Sequence, residues 1–461
     1  MTAAVPAFSP SLPELPALID GLPNICGWES AIEAATLRTP PPSRQALPSK
    51  TVVAGFAIAL HMHQPVIPAG PDGKLISYLQ YMFEHAFEHD NHQAGSLLYC
   101  YGRLGDFIPE LVSQGCQPRI LLDCSGTLLW GLQDMGRQET LAKLKRITGA
   151  AAYQSQVEWL GTFWSYAPAS RIPLPDLKLQ VRAWQHHFAA IFGLEALGRV
   201  QGFSLPAADL PSDSDALYAL VETLRTCGYR WLMVTQASLE QLIGQPLAQP
   251  HLPHRLEVTN RAGETVAFTL LINQAADADA VSQMQPYTLA KHLAQTAASP
   301  LPLVMQSAPS ESSAMMNRFP GSFKRAWHDL RSQPQVAGLT GSEYLDALAA
   351  TGFNLDDYPV CSVAATATPP TAIPETFTNT SFKAPLSIAT SELRHRLSAH
   401  FHRSRRNIDG GRESAVTRQP RYREALLYNL LLQASCFRSG QTAPWSSYAR
   451  EIYARGERLL R

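Results

Sequence analysis

Short apolar runs rich in β-branched residues recur along the chain, at Val52–Leu60, Arg119–Asp123, Gln156–Gly161, Val200–Leu205, Tyr229–Thr235, Val266–Ile272 and Leu303–Gln306. Longer stretches with helical spacing of apolar residues separate them, among them Leu75–His89, Leu177–Leu197, Asp213–Cys227 and Leu289–Ala298. Strands that alternate with helices pair in parallel, because antiparallel neighbours need only short turns. Leu256–Ile272 is the exception: Asn260-Arg-Ala-Gly-Glu264 reads as a hairpin turn feeding the sixth strand. The rhythm predicts an α/β fold, an incomplete (β/α)7 barrel related to the eight-stranded TIM barrel. An open doubly wound sheet is the alternative, since hydrophobic pattern does not fix closure.

The rhythm fails after Phe353. Residues 1–50 hold nine prolines and read as an N-terminal arm, 51–355 as the barrel, and 356–388 as a linker rich in Pro, Thr and Ala. Residues 389–461 carry helical patterns at Glu392–Arg405, Tyr422–Phe437 and Tyr448–Leu460. In the second, Leu426, Leu427, Leu430, Leu431 and Ala434 share one face, so this C-terminal helical module is expected to dock on the barrel.

Composition narrows the function. The chain has 461 residues, 38 basic and 38 acidic, and an apolar fraction of 45% that suffices for a large core. Neutrality argues against nucleic-acid binding by bulk charge, but the charge is divided. Residues 391–461 contain 14 Arg and six acids, leaving the rest net acidic. That arrangement fits either an Arg-decorated surface docked on an acidic barrel or a partner-binding face for an acidic protein or nucleic acid. The seven cysteines show no CxxC pair, no apolar run is long enough to span a membrane, and the N-terminus lacks a basic signal-peptide region. A cytoplasmic protein is expected.

The sharpest local chemistry is Ala-Leu-His61-Met-His63-Gln64-Pro65 at the end of the first strand. In an extended segment His61 and His63 share a face, suited to holding sugar hydroxyls or a metal, and barrel enzymes build their sites at this rim. A strand ending in His-Gln-Pro resembles the first signature of glycoside hydrolase family 57, the α-glucan-active amylases, glucanotransferases and branching enzymes. Val157-Glu-Trp-Leu-Gly-Thr-Phe-Trp164 resembles that family's second motif, Gln201-Gly-Phe-Ser-Leu-Pro206 the segment carrying its nucleophile, and Val304-Met-Gln-Ser-Ala308 the segment carrying its general acid. The resemblance covers about residues 52–320, with likeness again in the last 40, and implies an incomplete (β/α)7 barrel acting on α-glucan or maltooligosaccharides. Neither a cofactor nor a metal is expected.

The departures from the family carry the functional expectation. Retaining glycosidases need two carboxyl groups about 5–5.5 Å apart. The resemblance places Ala207 at the nucleophile and Ala308 at the general acid, and Tyr166 where the second motif commonly has a histidine. Alanine neither attacks an anomeric carbon nor donates a proton, so a degenerate homologue acting in glucan binding or regulation is expected. Asp209 and Glu311 are the possible displaced substitutes in the alternative of an active hydrolase or transferase; a protein-interaction scaffold is the third possibility. His61, His63, Gln64, Asp123, Trp130, Glu158 and Trp164 are the expected sugar-binding residues.

Two other patterns compete. Arg119-Ile-Leu-Leu-Asp123-Cys-Ser125 resembles the nucleophile strand of haloacid dehalogenase-like phosphatases, but the second Asp is Ser125 and the later Lys and Gly-Asp segments are not evident. His85-Ala-Phe-Glu88-His89 matches H-x-x-E-H, which holds zinc only if both histidines sit on one helix. Gly-x-Ser-x-Gly, Walker A and a complete strand-following Gly-x-Gly-x-x-Gly are missing.

Overall fold

The computed structural model describes residues 13–37, 51–274, 277–296, 300–365, 386–408, 416–437 and 443–461. A large, mostly parallel sheet organises them. Its first five strands are β1 (Ala54–Met62), β2 (Ile120–Cys124), β3 (Val157–Gly161), β4 (Gly202–Ser204) and β5 (Trp231–Thr235), each paired in parallel with the next. The expected hairpin is present as β6 (His254–Thr259) antiparallel to β7 (Thr265–Asn273). β7 lies parallel to β5, and β8 (Leu303–Pro309) runs beside β1 with Pro309 opposite His61. β7 also meets β8 at Asn273 opposite Met305, so the parallel path returns to the strand from which it began. β9 (Val336–Gly338) adds to β1. β10 (Val360–Val363), within the stretch expected to be linker, pairs with β6. Residues 1–12, 38–50 and 366–385 of the expected arm and linker lie outside the described residues, whereas Glu29–Thr36 within the expected arm is helical.

Alternation along these strands sorts the side chains into two layers. Ala57 and Ala59 of β1, Leu121, Leu160, Met233, Leu271 and Met305 pack together on the inner face. Phe56, Ile58, Leu60, Leu122, Trp159, Leu232, Ile272 and Val304 face the surrounding helices. A buried side chain of this size contributes roughly 1.5–3 kcal/mol relative to exposure, so a one-residue slip of any strand is heavily penalised. Inner-face parity, carried to the C-terminal strand ends, puts His61, Asp123, Thr235, Asn273 and Ser307 on one polar rim.

The helices follow the expected positions with local differences. Helix α1 (Gly126–Asp134) follows β2 and is capped by the Ser125 hydroxyl, which accepts from the Leu128 N–H. Helix α2 (Leu177–Phe192) ends at Gly193 with φ of 92°, so the predicted Leu177–Leu197 stretch is two helices rather than one. The predicted Leu75–His89 helix covers only Tyr78–Glu84, because its first residues form a short strand and its polar end unwinds. Helix α3 (Gly341–Ala350) starts with a capping box between Thr340 and Glu343.

The C-terminal helices are α4 (Leu386–Ile408), α5 (Pro420–Leu431) and α6 (Ala443–Leu460). Nine residues of α5 are buried, including Tyr422, Arg423, Leu427 and Leu431, so it is enclosed rather than docked by one stripe. Several arginines here are engaged within the chain: Arg423 with Asp20, Arg396 with Glu392, Arg455 with Glu451, and Arg421 with the Leu459 carbonyl. Among the described residues, no helix is long and apolar enough to cross a membrane.

Candidate functional site

A cavity of about 260 Å³ opens at the C-terminal strand ends, lined by His61, Tyr166, Leu205, Ala207, Met233, Val234, Thr235, Asn273, Ser307 and Pro309. It lies just below the roughly 300–1,000 Å³ usual for ligand sites and has room for a compact molecule. Its walls mix apolar surface with hydroxyls, an amide and an imidazole. Asn273 donates from Nδ2 to Ser307 Oγ at 2.7 Å, while its buried Oδ1 has no partner. No carboxyl group lines the cavity among the described residues.

His61 is fixed from behind. It lies opposite Asp123 in the β1–β2 register, and its Nδ1 bonds the Asp123 carboxylate Oδ2. Burial opposes protonation of His61, but Asp123, helped by Glu311, outweighs it and raises the imidazole above its usual range. Asp123 Oδ1 remains buried without a partner. His63 behaves oppositely: burial depresses it to about 3, keeping it neutral. Its Nδ1 is 2.9 Å from the Ser125 hydroxyl, and its ring stacks on Tyr166 with centroids 4.4 Å apart.

Tyr166 and Ala207 stand out by backbone shape. Six described non-glycine residues have positive φ, and two of them, Tyr166 (59°) and Ala207 (54°), line this one cavity. A side chain in the left-handed region costs about 1–2 kcal/mol, and such strain persists only where surroundings enforce it. The Tyr166 hydroxyl lies against the backbone N–H of Ala207, and burial together with Asp123 and Glu311 pushes the phenol well above its usual range.

Of the two possible substitute carboxylates, one is near the site. Glu311 Oε1 accepts the His63 backbone N–H at 2.8 Å. Burial raises Glu311 to about 7 although His63, its own backbone N–H, Tyr101 and His61 pull it down. Asp209 instead accepts from the backbone N–H and hydroxyl of Ser170, at 2.9 and 2.7 Å, and does not line the cavity.

Other expected positions fall elsewhere. Ala308 is buried among outer-layer residues, while Ser307 and Pro309 face the cavity, because alternate residues of β8 point oppositely. Glu158 lies at the other end of its strand, where Ser342 at the start of α3 donates its backbone N–H at 3.0 Å and its hydroxyl. Burial raises this carboxyl against those hydrogen bonds. Trp130 and Trp164 are buried, 4% and 0% exposed, so neither offers a face to a pyranose. Trp164 donates from Nε1 to His187 Nδ1 at 3.2 Å and packs so close to Gly126 that a Cβ there would meet its ring at 2.1 Å. Gln64 donates to the Tyr101 hydroxyl at 2.9 Å and supports the site rather than lining it.

Thr235, Asn273 and Ser307 were not expected at the site. The available signal is a polar residue at or just past the end of an apolar run. His85 stacks on Tyr81 beyond the helix end at Glu84, so His85 and His89 do not share a helical face as the zinc pattern requires. Asp123 is bonded to His61 and Ser125 caps α1, so these two phosphatase-like residues are held by structure of the strand end. No cluster of three metal-ligating side chains occurs among the described residues.

No family model matches the sequence, and no curated protein matches it significantly. Solved structures do match. The 4-α-glucanotransferase of Thermococcus litoralis aligns at 13% identity and TM-score 0.55, covering 88% of this chain and 60% of that one. The GH57-type branching enzyme of Pyrococcus horikoshii aligns at 11% identity and TM-score 0.53, covering 89% and 88%. A GH57 branching enzyme of Thermococcus kodakaraensis, solved in complex with glucose and additives, aligns at 10% identity and TM-score 0.56, covering 88% and 90%. This chain therefore spans about 60% of the glucanotransferase and most of either branching enzyme. At such identities the likeness is one of architecture: this chain has the fold of the glycoside hydrolase family 57 α-glucan enzymes.

Proposed function

We propose that this chain is a catalytically degenerate relative of the family 57 enzymes, a glucan-binding or regulatory protein of α-glucan metabolism. In this reading the seven parallel strands form an incomplete (β/α)7 barrel and the C-terminal helices a module docked on it. The carrying observation is the cavity itself: its described lining includes Ala207 and Ser307 and no carboxyl group. Without a nucleophile and a proton donor about 5–5.5 Å apart, the retaining double displacement has no route. What is left binds: hydroxyls of Thr235, Ser307 and Tyr166, the Asn273 amide and the His61 imidazole match the donors and acceptors of a sugar ring. A cytoplasmic site of action belongs to the same reading.

A second reading is favoured by one observation. Glu311 holds its proton up to about pH 7 beside His61, as a general acid requires. A hydrolase using Glu311 would still need a nucleophile, and Asp209 is engaged by Ser170. The test measures binding and turnover of glycogen and maltooligosaccharides side by side. Binding without turnover supports the degenerate reading. Turnover abolished by Glu311→Gln replaces it with the hydrolase, and absence of both binding and turnover favours an interaction scaffold.

A further inference from the structure

A buried hydrogen-bond chain joins the C-terminal helices to the residue preceding Tyr166. The Ser165 N–H donates to Gln180 Oε1 at 3.1 Å, and Gln180 Nε2 donates back to Ser165 Oγ at 2.9 Å. The same Nε2 reaches Gln433 Oε1 at 2.9 Å, and Gln433 Nε2 donates to Asp176 Oδ2 at 2.7 Å. Asp176 Oδ1 in turn meets His402 Nε2 of α4 at 2.6 Å. Ser165, Gln180, Asp176 and Gln433 are each 1% exposed or less, so water does not compete for these bonds.

Two features give this chain of bonds more than a packing role. Asp176 stands at the N-terminal end of α2 yet makes no capping bond there; its carboxylate is directed to Gln433 and His402. Gln180 grips Ser165 by both backbone and hydroxyl, immediately before a tyrosine held at φ of 59° against the cavity. A left-handed tyrosine needs its neighbours to enforce the conformation. Here the enforcement passes through Gln180 to Gln433, in the turn just past α5, and by way of Asp176 to His402 of α4.

We propose that Gln433, Asp176 and His402 are positioning residues that hold Tyr166 over the cavity, making the C-terminal helices part of the ligand site. The affinity side of this inference rests on the glucan-binding reading; the positional side does not. The link is thermodynamic and reciprocal: a ligand that packs on Tyr166 tightens the seating of the C-terminal helices, and loosening that seating weakens the ligand.

The experiment places 3-fluorotyrosine at position 166 of the full chain and records its 19F resonance without ligand, then titrates maltoheptaose. Asp176→Asn can keep both hydrogen bonds, accepting from Gln433 and donating to His402, and should leave the resonance in place and affinity within about twofold. Gln433→Leu and His402→Ala should shift or broaden the resonance and weaken binding by about tenfold. His402 is half-buried near the surface, so His402→Ala keeps the test open if Gln433→Leu fails to fold. A wild-type resonance in folded Gln433→Leu and His402→Ala overturns the proposal. A shifted resonance with no maltoheptaose binding, even by the unsubstituted chain, upholds the positioning and removes the glucan reading instead.

Discussion

His61 and Asp123 occupy directly opposed positions on neighbouring parallel strands, and the imidazole Nδ1 bonds the carboxylate Oδ2 at the floor of the cavity rim. The pair is desolvated, fixed by backbone register, and leaves the other imidazole nitrogen for the cavity. It is the most strongly organised polar feature of the site.

Removing the charge of Asp123 therefore tests that organisation. Asp123→Asn should bring the His61 titration, followed by NMR of its ring protons, down toward or below its ordinary range near 6.5. A raised histidine contributes stability that is complete below its unfolded value and fades as pH rises through its folded value. The stability lost in Asp123→Asn should accordingly be larger at pH 5.5 than at pH 9. Equal losses at both would detach His61 from Asp123.

Glu311 carries the opposite kind of shift for a carboxyl. Its folded value of about 7 lies above the ordinary carboxyl value of 4.5, so the native state keeps a proton that the unfolded chain releases. Its contribution should fall as pH rises between these values, by up to about 3 kcal/mol. Urea unfolding of Glu311→Gln across that range should show a flatter pH dependence than the unsubstituted protein; parallel curves would contradict the assignment.

The two faces of β8 predict different outcomes at neighbouring positions. Ala308→Asp puts an unpaired charge into the outer apolar layer and should cost about 3 kcal/mol or more, read as a lower urea midpoint. Ser307→Asp faces the cavity and should cost much less. Any glucan hydrolysis restored by carboxylates should therefore appear in Ala207→Glu with Ser307→Asp, and not in Ala207→Glu with Ala308→Asp.

Gly126→Ala tests the packing that holds the second motif. Its methyl would fall 2.1 Å from the fully buried indole of Trp164, two residues before Tyr166. Overpacking of this kind should cost about 1–3 kcal/mol in thermal or urea unfolding. Unchanged stability would mean that the indole moves freely.

The sequence made the strands legible because apolar runs bounded by turns are local signals, and six of the seven overlap their observed strands over most of their length. β4 is shorter than its run, Gly202–Ser204 within Val200–Leu205. His61 was readable for the same reason, as a polar residue where an apolar strand stops. Side-chain direction was not readable at that level. A period of two means that one residue of offset exchanges cavity for core, which is how Ser307 rather than Ala308 comes to face the cavity. Trp164 has the composition of a sugar platform, but the absent side chain at Gly126 lets it sink into the core. Glu158 shares inner-face parity with the rim yet is the second residue of its strand, so chain direction carries it to the far end. The Gln180–Gln433–Asp176 chain links residues more than 250 positions apart and leaves no local trace.

The cavity is proposed to bind glucan without cleaving it. Calorimetric titration of maltoheptaose into the unsubstituted protein and into Ser307→Trp, followed by chromatography of the recovered sugar, tests it directly. Saturable binding by the unsubstituted protein, loss of binding when the indole fills the cavity, and maltoheptaose recovered intact are the expected results. Shorter or longer oligosaccharides in the recovered sample, or undiminished binding by Ser307→Trp, would contradict the proposal.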